Sequence, residues 1–201
     1  MLAATLAAAV FPTVATADVD GRSLYAVCAP CHGSRGEGVP TTGAPNIGGA
    51  EAWYVERQLR NLATGMRGGQ AGDSLGAAMR AAAATLVSDL DRKKVATYVA
   101  ALPRVRAGRA PAVSDNGRNY FNALCSACHG SSGLGNESLG APRLAGLPVE
   151  YLARQLVAFR SGRRGAQDGD RLGAQMRAIA GMLPDARTEQ DVVAYTASLK
   201  P

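Results

Sequence analysis

Histidine is nearly missing from this chain. Its 201 residues include two, with four cysteines, one tryptophan and three phenylalanines. Aromatics amount to 5%, too few for a platform on which nucleobases could stack, so nucleic acid is not the expected partner. The formal net charge is +6, but no run of five or six like charges occurs, and the excess suggests an acidic partner or surface. Alternating strand patterns are almost absent. Beyond the first 17 residues, nothing approaches the roughly 20 apolar residues that span a bilayer. A shortage of large apolar side chains also limits the core. Two domains of about 90 residues each lie near the small end of what a protein core alone stabilises, so a large apolar cofactor in each would help.

Every cysteine and every histidine falls in two words, VCAPCHG (27–33) and LCSACHG (124–130). A fixed offset of 97 carries Cys28 to Cys125 and His32 to His129. The same offset carries Pro45 to Pro142, Tyr54 to Tyr151, Arg57-Gln58-Leu59 to Arg154-Gln155-Leu156, and Met79-Arg80 to Met176-Arg177. This is one domain written twice; two long copies do not make a solenoid. The expected division is a secretory signal over 1–17, ending in the A-x-A-like Ala15-Thr16-Ala17, then domains over 18–104 and 117–201. The Pro-, Gly- and charge-rich stretch 105–116 reads as a linker. Within each half the pattern predicts a short helix leading into the Cys-His word and an amphipathic helix ending at Gly65 or Gly162. An amphipathic helix closes each half, the second capped by Thr188 with Asp191 three residues on.

The Cys-x-x-Cys-His word has few chemical readings. A thioredoxin-like dithiol needs a βαβ context, and zinc needs four ligands per site. A disulfide would leave the histidine after each second cysteine unexplained. Two thiols three residues apart can form thioethers to the two vinyl groups of a haem, and the adjacent histidine then points at the iron. The sequence therefore predicts two covalently bound haem c groups, held by Cys28, Cys31 and His32 and by Cys125, Cys128 and His129. No third histidine exists, so a methionine thioether is the natural sixth ligand. Met66 falls opposite Arg163, and Met182 opposite Thr85. Only Met79 and Met176 are counterparts, each 47 residues beyond its histidine. The competing reading, ordinary core methionines at helical spacing, does not explain that register.

The combination of C-x-x-C-H-G, a Gly-rich loop with proline, Y-x-x-R-Q-L, M-R and a closing helix with tyrosine resembles the dihaem cytochromes c of the cytochrome c4 family. The resemblance spans about residues 20–200. It implies an all-α fold of two tandem class I cytochrome c domains related by a pseudo-twofold axis, with the haem propionate edges near each other at the interface. It also implies that the carbonyls of Pro45 and Pro142 orient the two histidines.

The expected function is a periplasmic electron carrier without catalytic residues or a small-molecule substrate. Its partners would be redox proteins, membrane-associated ones among them: a donor dehydrogenase or quinol-oxidising complex, and an acceptor oxidase or reductase. The alternative is a permanent subunit of a periplasmic dehydrogenase, for instance one oxidising reduced sulfur. A haem peroxidase would need an open iron and a distal acid–base group, for which no histidine is spare. Arg57/Arg154 and Arg80/Arg177 can be read as propionate partners, a partner-facing rim or solvated helix faces. Net charge is +2 over 18–104 and +4 over 105–201. Arg160, Arg163 and Arg164 cluster only in the second half, which makes that half the expected docking face for an acidic partner.

Overall fold

The computed structural model describes residues 17–105, 108 and 112–200. The signal expected over 1–17 falls outside the described residues except for Ala17. The first half contains α1 (Ala17–Tyr25), α2 (Ala29–His32), α3 (Ala52–Ala63), α4 (Ser74–Ala84) and α5 (Asp89–Ala101). The second repeats them as α6 (Asp115–Tyr120), α7 (Ser126–His129), α8 (Val149–Arg160), α9 (Arg171–Gly181) and α10 (Ala186–Ser198). Among the described residues, extended structure is limited to the isolated bridges Val39–Ala44 and Asn136–Ala141. The all-α expectation holds. No described helix is long and apolar enough to cross a membrane.

In each half the first and last helices cross closely. A Cβ placed on Gly21 would come 2.7 Å from the Lys94 carbonyl oxygen, and one on Gly117 would come 2.1 Å from that of Asp191. Glycine is what lets α1 press on α5 and α6 on α10. Tyr25 then meets Tyr98, and Phe121 meets Tyr195, both with ring centroids 5.3 Å apart. Around the first crossing pack Leu59, Leu62, Leu86, Val95 and Val99. Burying a side chain such as Leu62, 2% exposed, contributes roughly 1.5–3 kcal/mol. The second core is built on Leu152, Val193 and Ala197. Helix α3 ends where Gly65 takes φ 77°, and α8 where Gly162 takes φ 76°.

The two copies differ in length at one place. Cys28 lies seven positions after Gly21, whereas Cys125 lies eight after Gly117. The extra residue is absorbed by a π turn, Phe121–Cys125, joining α6 to α7. The offset between halves is therefore 96 in the opening helix, where Phe121 takes the place of Tyr25, and 97 from the first cysteine onward.

Two expectations change. Asp185, not Thr188, caps the last helix: its carboxylate accepts the Thr188 backbone N–H, and Thr188 is buried inside the first turn. In the same register Ser88 and Asp91 form a reciprocal capping box on α5. Helix α6 begins at Asp115, because the Ser114 hydroxyl accepts the Gly117 N–H, so helix reaches two residues into the stretch read as linker. The structure also adds α4 and α9, the helices that carry Met79 and Met176.

Candidate functional site

Each Cys-His word forms one helical turn. Cys28 caps α2, and Cys31 and His32 lie inside it; Cys125, Cys128 and His129 repeat this on α7. The turn places the first cysteine half-buried, the second exposed and the histidine buried. No disulfide joins the four cysteines. Burial, followed by the neighbouring cysteine, pushes the Cys28 and Cys125 thiols up to about 11.

Both histidines are tied by one ring nitrogen. His32 Nδ1 lies 3.0 Å from the Pro45 carbonyl oxygen, and His129 Nδ1 lies 2.8 Å from that of Pro142. A carbonyl only accepts, so each Nδ1 carries the proton and each Nε2 keeps its lone pair. Burial lowers both imidazole pKa values, which favours the neutral, ligating form. His32 Nε2 faces the Met79 sulfur at 3.4 Å. Neither atom has a proton to donate, so two lone pairs are aimed at each other, an arrangement that suits a Lewis acid.

Met176 holds the equivalent place on α9. All eight expected residues (Cys28, Cys31, His32, Met79, Cys125, Cys128, His129 and Met176) line one continuous cavity of about 750 Å³. Met66 also lines it, beside Gly169 of the other half. Met182 is 59% exposed and turns away. No group of three or more His, Cys, Asp or Glu side chains suited to a metal ion occurs among the described residues.

The arginines divide among their sequence readings. Arg57 Nη2 donates to the Gly140 carbonyl at 2.7 Å, and Arg154 Nη2 to the Gly43 carbonyl at 2.5 Å. Gly43 and Gly140 are themselves 97 apart, so the two halves clasp each other reciprocally. Arg80 and Arg177 stay exposed. The expected Arg160–Arg163–Arg164 docking cluster is dispersed. Arg160 pairs with Glu189, and Arg163 bonds to Ser161 and, across the interface, to Gly72. Arg164 turns inward over the Phe159 ring, 4.2 Å from its centroid.

Arg164 and its counterpart Arg67 form a ring that the sequence reading missed. Arg67 donates to Gln58 Oε1 at 2.8 Å and Gln155 Oε1 at 3.2 Å; Arg164 donates to Gln155 Oε1 at 2.5 Å and Gln58 Oε1 at 3.2 Å. Tyr151 acts electrostatically on Arg67, and Tyr54 on Arg164, in each case favouring the cation. The signal was present, since Tyr54/Tyr151 and Gln58/Gln155 share the Y-x-x-R-Q-L word. Repeat register shows which residues correspond, however, not which ones meet.

These residues fit two covalently attached haems. Each half offers a thiol pair, a neutral imidazole and a thioether on the cavity. Arg154 Nε is buried without a hydrogen-bond partner, and arginines from both halves line the space where carboxylates would be needed.

Comparison with known proteins agrees. The Cytochrome c family profile matches twice, over residues 19–103 and 114–200. A cytochrome c4 of Stutzerimonas stutzeri is 30% identical over 179 residues, covering 84% of this chain and 83% of its own. A thiosulfate dehydrogenase electron acceptor of Stutzerimonas stutzeri (strain A1501) is 31% identical over 185 residues, covering 80% of each. Among solved structures, a thiosulfate dehydrogenase from Marichromatium purpuratum superposes with a TM-score of 0.71 at 30% identity, over 90% of this chain. This chain spans 40% of that one.

Proposed function

Because this chain belongs to the cytochrome c family, as a tandem dihaem protein of the cytochrome c4 type, we propose that it carries electrons between redox proteins of the periplasm. Residues 1–17 direct export, and the domains run over 18–104 and 117–201. The thiols of Cys28 and Cys31 anchor the first haem and those of Cys125 and Cys128 the second. His32 and Met79 would hold one haem iron, and His129 and Met176 the other.

When bound, haem c supplies a one-electron Fe(III)/Fe(II) couple. The protein's part is to hold and tune it. Pro45 and Pro142 fix the imidazole tautomer, and the thioethers complete the coordination and raise the potential. A histidine and a methionine from the protein on each iron would leave no open site for a substrate, so the chain serves as a carrier rather than an enzyme. The observation that carries this reading is the His32 Nε2 to Met79 sulfur approach at 3.4 Å, with Nδ1 already committed to Pro45.

The donor is a dehydrogenase or quinol-oxidising complex, and the acceptor an oxidase or reductase. The likeness to part of the Marichromatium purpuratum thiosulfate dehydrogenase favours a second reading, that of a standing dehydrogenase subunit. A carrier elutes alone at high salt, whereas a standing subunit keeps its enzyme.

The ligand assignment is tested by the far-red sulfur-to-iron band of the oxidised protein. Met79→Ala and Met176→Ala should each remove about half of it, since each supplies one of two equivalent bonds. Met66→Ala and Met182→Ala should leave it unchanged. Loss of the band in either of the latter overturns the assignment.

A further inference from the structure

We propose that Arg57, Arg67, Arg154 and Arg164 form one receptor for the four carboxylates of both haems, so that the two domains dock stably only when both halves are loaded. This rests on the haem reading above.

The four guanidinium groups line the cavity shared by the halves, and the repeat relates them as two pairs. Their hydrogen-bond partners are neutral: the Gly140 and Gly43 carbonyls and the Gln58 and Gln155 amides. None of the four makes an ion pair with an acid among the described residues. The three acids on the cavity are engaged elsewhere. Glu51 pairs with Arg143 and Arg104, while Asp73 and Asp170 cap α4 and α9. Asp73 and Asp170 attract Arg67 and Arg57 only from a distance. Desolvation, followed by repulsion from Arg67, lowers the pKa of Arg164, whereas Tyr151 and Tyr54 outweigh desolvation at Arg67 and raise its pKa. Four half-buried cations on partners that are not carboxylates leave positive charge uncompensated at the interface. Arg154 Nε adds a buried donor with no acceptor.

Each haem brings two carboxylates. Two haems match the four guanidinium groups, and one haem leaves two cations uncompensated. Every one of the four arginines contacts the opposite half, so the mismatch falls on the contact between domains rather than on either core.

The test uses the full-length chain, matured in a host that attaches haem c. A haem count of two in the parent secures the underlying reading; a lower count overturns both that reading and this proposal. Cys28→Ser/Cys31→Ser should carry one haem. Docking is read by small-angle scattering and by tryptic nicking after exposed Arg104, between the domains. The singly loaded chain should expand and be nicked at least about tenfold faster than the parent, as expected for uncompensated buried charge. Adding Arg67→Gln/Arg164→Gln should restore compactness and resistance, because two cations then face two carboxylates. In the doubly loaded chain the same two substitutions should speed nicking. A singly loaded chain as compact and resistant as the parent overturns the proposal. So does failure of the two glutamines to restore it, which is what an unfolded empty domain would give.

Discussion

At the scale of single residues, what could be read in the sequence divides along a physical line. Cysteine, histidine and methionine carry chemistry that spacing alone constrains, and register selected Met79 over Met66. The structure then sets the Met79 sulfur against His32 and turns Met182 outward. Arginine carries no such constraint. Its long side chain reaches wherever packing leaves an acceptor, so three arginines adjacent in sequence took three unrelated partners. Arg67, unremarkable in the sequence, bonds to both halves and acts electrostatically on His32. A positive charge near a haem favours its reduced form. Arg67→Gln should therefore lower both potentials, on the order of tens of millivolts, in a redox titration. Arg80→Gln, at an exposed position, should shift neither appreciably because solvent screens it. A shift confined to one potential would mean that Arg67 serves only one half.

At the scale of elements, the helices with strong apolar spacing were visible and those with weak spacing were not. Helix α4 is written SLGAAMRAAAA, whose alanines mark no face, and it is held by the Asp73 cap and its packing on α3. The last helix was visible, but its start was misplaced by a turn, because Asp185 and Thr188 are both competent caps and only tertiary packing buries Thr188. The π turn was equally hidden, since one surplus residue looks like ordinary divergence between copies. It has a testable corollary. The first half presents its cysteines and histidine with seven positions after the crossing glycine, so the eighth is not needed. Deleting Asn122, which is exposed, should leave haem attachment to the second half intact and shift the melting temperature by only a few degrees, corresponding to about 1 kcal/mol or less. Loss of the second haem would show that the π turn itself sets the cysteine geometry.

At the scale of the whole molecule, the halves meet through reciprocal contacts. The Arg57 and Arg154 bonds to glycine carbonyls are charged and partly buried, a class of hydrogen bond worth about 1.5–3 kcal/mol each. Arg57→Ala and Arg154→Ala should each weaken docking by a similar amount in urea unfolding. Both clasps close the same interface, so the double variant should lose less than the sum of the two. Additive losses would mean that the clasps act independently. No sequence reading could have found them, because an offset of 97 pairs Arg57 with Arg154 while the contacts run from Arg57 to Gly140 and from Arg154 to Gly43.

A contact in which each partner offers the other the same surface is the contact of a homodimer. In a homodimer a single substitution changes both sides of such a seam at once. In one chain the two sides are separate residues, and each can be substituted alone. Asn46 and Arg143 occupy the same register position, yet Asn46 donates to the Gly146 carbonyl while Arg143 pairs with Glu51. At that position the two sides of the seam do different work, so a substitution of either residue probes one side alone.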